Sequence, residues 1–334
     1  MFYPYRFQPI LAERVWGGQT LSRYGKTIPT GKVIGESWEI SDRPDAQSIV
    51  INGPLKGQTL HQLIERLGYE TVVGRVTSRG AASGAESDET PRARAANAAY
   101  RFPLLIKLLD ARERLSLQVH PPATIAKQLG GEPKTEMWYI LEATPDAHLI
   151  AGLKHGVTRQ QFAAAIHQHP SPLADLVHRF PVRDGDVLFV PSGRLHAVDG
   201  GLVIAEIQQN SDTTYRVYDW DRVGLDGKPR ALHIKESLAS IDFADIEPSL
   251  SRFPIVCDHF RTDLLRLDAP RTDRCDGTSF HILGCVAGEI EITGEKLRVG
   301  DFALLPAALG DYTARPLTPT AAFLKTTMPS QRHR

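Results

Sequence analysis

The chain has 334 residues and a mass of 36.9 kDa, with 39 basic and 39 acidic side chains and a pI near 7.2. A zero balance argues against nucleic acid or an anionic membrane surface as partner, since both select a basic excess. Apolar residues at 42% and charged residues at 23% describe a globular chain long enough for about two domains. The 27 glycines and 23 prolines favour a turn-rich architecture over a helical bundle.

The N-terminal MFYPYRFQPI lacks the apolar core of a signal peptide, and no stretch reaches the roughly 18 apolar residues of a membrane span. Thr59-Leu-His-Gln62 is a capping box, and Leu60, Leu63, Ile64 and Leu67 then share one helical face before Gly68. Residues 78–98, SRGAASGAESDETPRARAANA, hold no aromatic and no aliphatic larger than alanine. Such a segment cannot offset its ordering entropy by burial, and a mobile insertion is expected.

From residue 104 the pattern becomes short apolar runs between Gly, Pro and Asp: 104–109, 115–120, 136–141, 186–190 and 201–208. Thr158-Arg-Gln-Gln161 opens a second capped helix, Leu173–Val177 a third short one, and His233–Ile241 a fourth. Runs 280–288, 289–293 and 296–306 continue the strand pattern. Many short strands at regular spacing predict a mainly β sandwich or barrel. Cys257, Cys275 and Cys285 are odd in number and form no C-x-x-C pair, so a reducing cytoplasm is the expected setting. Dinucleotide-binding, P-loop and nucleophile-elbow motifs are lacking from the sequence.

Two segments carry chemistry. In Leu117-Gln118-Val119-His120, positions i and i+2 of a strand place both polar tips on one face. Sixteen residues later Glu136 opens an apolar strand. In Gly185…Pro191-Ser-Gly193-Arg-Leu-His196, a turn glycine launches a strand, a Pro-x-Gly turn ends it and a histidine begins the next. Two imidazoles, a carboxylate and an amide oxygen form a mixed N/O site suited to zinc, with manganese, iron or nickel also compatible. The spacings resemble the two conserved motifs of the cupin superfamily, with Gln118 standing where most cupins carry a histidine. The remaining ten histidines, including His167, His169 and His178, sit in helical or loop contexts.

The longer motifs resemble type I mannose-6-phosphate isomerases, most closely their short bacterial form: Gln118-Val119-His120-Pro121, Lys134-Thr135-Glu136-Met-Trp-Tyr, PSGRLHAV, QQNSDTTYRVYDWDR, ERVWGG (13–18) and GESWEISDRP (35–44). The resemblance implies two cupin (jelly-roll) barrels with a small helical insertion near 155–180. A catalytic domain would span 1–245, and a degenerate barrel 246–334, where Leu309 or Gly310 stands at the ligand position. It implies one zinc ion per chain on His120, Glu136, His196 and Gln118. It places the family's active-site arginine on Arg216, a pocket lysine on Lys134 and acidic pocket residues on Glu206 and Asp212. Trp16, Glu36 and Ser37 are further candidates for substrate contact, a packed aromatic being the other reading of Trp16.

The implied activity is that of an aldose–ketose isomerase converting mannose 6-phosphate and fructose 6-phosphate through a cis-enediol. Lys134, lowered by a neighbouring cation, or Glu206 would be the base. The partner is a small sugar phosphate. Asp219-Trp-Asp-Arg222 reads as a solvated loop at the barrel mouth. A cupin metalloenzyme on another substrate, such as an oxygenase, and a non-catalytic sugar-binding cupin are the alternative readings.

Overall fold

Alternating apolar and polar residues, punctuated by turn glycines, fold this chain into paired antiparallel sheets. The computed structural model describes residues 2–75, 100–168 and 171–329; the insertion expected at 78–98 lies outside them. Among the described residues, strands account for 41% and helices for 13%. The fold is mainly β.

In chain order the strands are β1 (Ile10–Gly18), β2 (Ile34–Ile40), β3 (Asp42–Arg43), β4 (Ala46–Gln47), β5 (Leu104–Ala111), β6 (Leu117–Val119), β7 (Glu136–Ala143) and β8 (His148–Leu153). They continue with β9 (Val177–Pro181), β10 (Val187–Val190), β11 (His196–Val198), β12 (Leu202–Gln209), β13 (Tyr215–Tyr218), β14 (Ile255–Val256) and β15 (Arg261–Leu267). The last are β16 (Arg271–Cys275), β17 (His281–Ala287), β18 (Glu289–Ile292), β19 (Glu295–Arg298), β20 (Phe302–Leu305), β21 (Gly310–Pro316) and β22 (Ala321–Thr327). Contacts divide the chain into two units: Leu11–Trp38 with Leu104–Arg252, and Met1–Ile10 with Glu39–Pro103 and Phe253–Arg334.

In the first unit a six-stranded sheet, β1-β2-β5-β12-β7-β10, faces a five-stranded one, β13-β6-β11-β8-β9. Leu109, Trp138, Ile140, Leu188 and Ile204 from one sheet pack on Leu149, Ala151 and Val198 from the other. Two-residue periodicity decides what enters this interior. On β12 the inward series runs Leu202, Ile204, Glu206, Gln208, so one end of the sandwich is apolar and the other polar. Lys107 on β5 and Glu136 on β7 reach the same polar end, because they pair with Glu206 and Gln208.

Leu117, Val119, Tyr215 and Val217 face the other way and pack against helix Arg159–Ile166 through the fully buried Phe162. Burying such a ring contributes about 2–3 kcal/mol. Both expected capping boxes are formed: Thr59 exchanges hydrogen bonds with Gln62, and Thr158 with Gln161. The short helices Leu173–Leu176 and Ile234–Ser240 occupy the other two expected places.

The repeated glycines of ERVWGG and GESWEI have a physical cause. A Cβ at Gly17 would lie 2.4 Å from the Gly35 nitrogen, and one at Gly35 2.5 Å from the Arg14 Cβ. Adjacent β1 and β2 therefore meet without side chains at this point.

In the second unit the sheets run β14-β15-β22-β17-β20 and β16-β21-β18-β19. They bury Leu283, Cys285, Ile290, Leu297, Leu305 and Phe323. The order repeats that of the first unit: β5-β12-β7-β10 corresponds to β15-β22-β17-β20, and β6-β11-β8-β9 to β16-β21-β18-β19. Among the described residues no helix is long and apolar enough to cross a membrane.

Candidate metal centre and substrate pocket

His120 follows the end of β6, Glu136 begins β7 and His196 begins β11. Among the described residues they form the group of three donors that could hold a metal, one atom from each lying within 4.8 Å of the others. All three are buried. Gly193 joins the two motifs: its N–H donates to the His120 carbonyl at 2.9 Å, from a backbone with φ of +93° that residues with a side chain adopt only under strain. Arg194 anchors the same turn through two 2.8 Å hydrogen bonds to Asp245.

The surroundings fix which imidazole nitrogen faces the centre. His120 Nδ1 lies 2.8 Å from the Thr213 carbonyl, and His196 Nδ1 2.8 Å from the Arg194 carbonyl. A carbonyl only accepts, so both Nδ1 atoms carry the proton and both Nε2 lone pairs point inward. Glu136 meets them with Oε2 3.5 Å from His120 Nε2 and Oε1 3.5 Å from His196 Nε2.

His120 Nε2 and both Glu136 oxygens are buried without a hydrogen bond of good geometry. Leaving such atoms unsatisfied costs about 1–3 kcal/mol each, and a small cation at their common focus would satisfy all three. Gln118 adjoins them, its amide nitrogen 3.3 Å from His196 Nε2. Exchanging the amide's nitrogen and oxygen by a half-turn would present an oxygen at that place.

Electrostatics suit a cation. Burial, then Lys134, push the His120 imidazole down to about 3. Burial likewise lowers His196. Both rings are neutral and able to ligate. Burial alone would raise the Glu136 carboxyl, but Lys134 above all, with His120 and His196, holds it well below its ordinary value.

Two lysines and four acids surround this focus. Lys134 Nζ lies 2.9 Å from Glu136 Oε2 and 3.9 Å from Glu206 Oε1. Burial lowers Lys134, but Glu136 and Glu206 outweigh it and the net shift is upward. The spacing in the sequence suggested a lysine lowered by a cation; the protein groups around it are carboxylates. Glu206 is pushed up to about 7 by burial and by Glu136, against the pull of Lys134 and Lys107. Its Oε2 accepts from Trp138 Nε1 at 3.0 Å, while Oε1 is buried without a hydrogen bond.

Lys107 escaped the reading of the sequence. It stands 3.8 Å from Glu36, 3.8 Å from Glu206 and 3.7 Å from Asp212, and 4.6 Å from the centroid of the Trp38 ring. A lone lysine within the buried run LLIKLL was the available signal. Gln208 was missed too: its amide donates to the carbonyls of Gln209 and Ser211, leaving Oε1 buried without a partner.

The other candidates fall as follows. Glu36 lines the pocket, bound by both arms of Arg14 at 2.9 and 3.0 Å. Burial raises its carboxyl, but Lys107 and Arg14 bring it down to about 2. Ser37 is buried on the opposite face of β2, and Trp16 sits in the apolar core with Leu109 and Ile140. Asp212 is half-exposed beside Lys107.

Arg216 pairs with Gln118 in the β6–β13 ladder, and its guanidinium donates to the Ala231 carbonyl at 2.8 Å. The cluster expected as a solvated loop is instead built in. Asp219 is 5% exposed and accepts from Arg222 and Arg230. Trp220 and Asp221, at φ of 58° and 55°, turn the chain back to make this possible.

The second unit repeats the registers with different residues. Asp273 pairs with Tyr312 as Gln118 does with His196, and Leu283 with Lys325 as Trp138 does with Glu206. His281 opens β17 as Glu136 opens β7. His281 Nδ1 donates to the Tyr312 hydroxyl at 2.8 Å, the hydroxyl donates to Asp273 at 3.3 Å, and Lys325 donates to Asp273 at 2.8 Å. This quartet satisfies itself, where the first unit leaves inward-facing atoms unpaired.

Residues 5–139 match the family model for the catalytic domain of type I phosphomannose isomerase. The mannose-6-phosphate isomerase ManA of Bacillus subtilis (strain 168) is 35% identical over 326 residues, covering 92% of this chain and 95% of that protein. The crystal structure of the mannose 6-phosphate isomerase from Bacillus subtilis superposes with a TM-score of 0.78 at 31% identity, over 97% of this chain and 99% of that one. A zinc-bound mannose 6-phosphate isomerase shares the fold at a TM-score of 0.75 and 18% identity, over 98% of this chain and all of the other. With nearly the whole of a relative matched above 30% identity, this chain belongs to the type I phosphomannose isomerase family.

Proposed function

We propose that this chain interconverts mannose 6-phosphate and fructose 6-phosphate, with zinc held by His120, Glu136, His196 and the amide oxygen of Gln118. The observation that carries the reading is the convergence of two neutral imidazole nitrogens and a buried carboxylate, with His120 Nε2 and both Glu136 oxygens lacking a hydrogen bond of good geometry, in a chain of this family. The donor set is nitrogen and oxygen, which zinc accepts readily. Zinc bound there would polarise the substrate's oxygens as a Lewis acid.

The chain's own residues account for the proton movements. Glu206, poised near neutrality, takes the C2 proton of the open-chain aldose as its carboxylate, giving the cis-enediolate as electrons move onto the C1 carbonyl oxygen. The same carboxyl returns that proton to C1, while the O2 hydroxyl proton is exchanged to O1, leaving the C2 ketone. Trp138 orients the carboxylate through its indole N–H. Lys134 stays protonated between Glu136 and Glu206 and places positive charge beside the developing oxyanion. Lys107, locked among Glu36, Glu206 and Asp212, stabilises the negative charge of that group.

We read the two sheet pairs as cupin barrels, a catalytic one within residues 1–245 and a metal-free one within 246–334; the repeated strand order supports this. A cytoplasmic setting accords with the free thiols of Cys257, Cys275 and Cys285. A coupled assay of fructose 6-phosphate formation tests the function: chelation should abolish it and added zinc restore it. Undiminished turnover of mannose 6-phosphate by metal-free protein would contradict the proposal.

A further inference from the structure

We propose that His233 is a positioning residue for the isomerase site, its ring holding Arg216 in place through an Nδ1 lone pair. The proposal rests on the isomerase reading, in which Arg216 is the pocket arginine, and adds the group that fixes it. In the sequence His233 is one more histidine at the start of a helix. Its bonds set it apart.

β13 is the edge of its sheet, with β6 on one side only. An edge strand presents every second N–H and C=O outward, where they stay unpaired unless another segment takes them. Arg216 is such a residue. Its N–H donates to His233 Nδ1 at 3.1 Å, and its carbonyl accepts from the His233 N–H at 2.8 Å. Its guanidinium donates to the Ala231 carbonyl at 2.8 Å. Residues 231–233 thus grip both the backbone and the side chain of Arg216.

The grip bears on the centre. Arg216 turns both backbone groups outward, so its pairing with Gln118 is the narrow, non-hydrogen-bonded kind in which side chains stand closest. Gln118 in turn touches His196 through its amide. Freeing the edge of β13 would let the arginine drift from the pocket while leaving the metal donors in place.

The ring suits the task by its tautomer. A backbone N–H only donates, so His233 Nδ1 is unprotonated and the neutral ring carries its proton on Nε2. That is the opposite tautomer to His120 and His196, whose Nδ1 atoms face carbonyls. Burial, then Arg216, hold the His233 imidazole below its ordinary value, against the pull of Glu236. Tyr215, with its ring centroid 5.9 Å away, donates its hydroxyl to the Leu129 carbonyl and adds no charge. His233 also begins helix Ile234–Ser240, its carbonyl accepting from the Ser237 N–H at 2.8 Å, yet its side chain makes no cap bond to that helix. The ring's acceptor is committed to Arg216.

The experiment compares wild type with His233→Asn and His233→Leu. Asparagine puts an acceptor oxygen at the place of Nδ1; leucine keeps the bulk and has no acceptor. The quantities read are kcat/KM for mannose 6-phosphate, bound zinc, and hydrogen exchange at the Arg216 amide. His233→Leu should lose about tenfold or more in kcat/KM with zinc content unchanged, since a misplacement of about 1 Å costs on the order of 100-fold. His233→Asn should stay within about threefold of wild type. The Arg216 amide should exchange slowly in wild type and His233→Asn, and about tenfold or more faster in His233→Leu. A ring that served only as packing would favour leucine over asparagine. Undiminished kcat/KM in His233→Leu, or asparagine no better than leucine, overturns the proposal. A wild type without turnover overturns the isomerase reading instead; equal Arg216 exchange in the three proteins then still overturns the hold of His233, and unequal exchange upholds it. If His233→Leu does not fold, His233→Gln, whose oxygen reaches only the Nε2 place, is read on the same quantities.

Discussion

Replacing Lys107 with methionine keeps the stem and removes the charge, and the consequence can be worked from the contacts. The ammonium is 4% exposed at its side chain, with Glu36 and Glu206 each at 3.8 Å. At an effective dielectric near 20, each such pair is worth about 4 kcal/mol before desolvation. Asp212, at 3.7 Å, is 46% exposed and contributes less through screening. Desolvation of the lysine cancels much of the gross attraction. The variant, however, leaves Glu36 and Glu206 buried with a charge partner missing, and a loss of about 3–5 kcal/mol is expected. Lys107→Met should lower the urea midpoint accordingly without changing zinc stoichiometry, since the ammonium has no contact with the three donors. A double variant, Lys107→Met with Glu206→Gln, should recover part of the loss, because the carboxylate whose Oε1 has no hydrogen bond has gone too, whereas Glu36 keeps Arg14. Equal stability of Lys107→Met and wild type, or a double variant no better than the single, would refute this electrostatic reasoning.

Trp138→Phe removes the donor to Glu206 Oε2; kcat should fall about tenfold or more, with zinc content unchanged, as measured by steady-state kinetics beside metal analysis. In the second unit, burial first and Lys325 next hold His281 down to about 4. A histidine lowered on folding binds its proton mainly in the unfolded chain, so stability is full above about pH 6.5 and declines toward pH 4. Denaturant titrations should show about 2 kcal/mol from this residue lost between pH 7 and pH 5, a component missing from His281→Gln. Gly17→Ala drives a Cβ into the β2 backbone 2.4 Å away; a destabilisation of about 2 kcal/mol or more should appear in the same titrations.

The parts of the site legible in the sequence are those set by local geometry. Gln118 and His120 share a face because a strand alternates, and the turn at Pro191–Gly193 delivers His196 because its glycine takes a positive φ. The capped helices were legible for the same reason: Thr59 and Thr158 close their rings within three residues. What was hidden depends on pairing between distant strands. Lys107 looked like one charge in an apolar run, and only the β5–β12 register sets it opposite Glu206. Lys134 seemed destined for depression by a cation because its spacing shows Glu136 but not Glu206. Asp219 and Arg222 looked solvated because composition records their charge, whereas the turn at Trp220 and Asp221 buries them against Arg230.

The central claim is that a single ion held by His120, Glu136 and His196 is required for the isomerisation. Titrating zinc into metal-free protein while following both bound metal and fructose 6-phosphate formation tests it most directly. Activity should rise in proportion to occupancy and level off at one zinc per chain, with neither binding nor rate in His120→Ala. Activity that precedes metal binding, or persists in His120→Ala, would contradict the account.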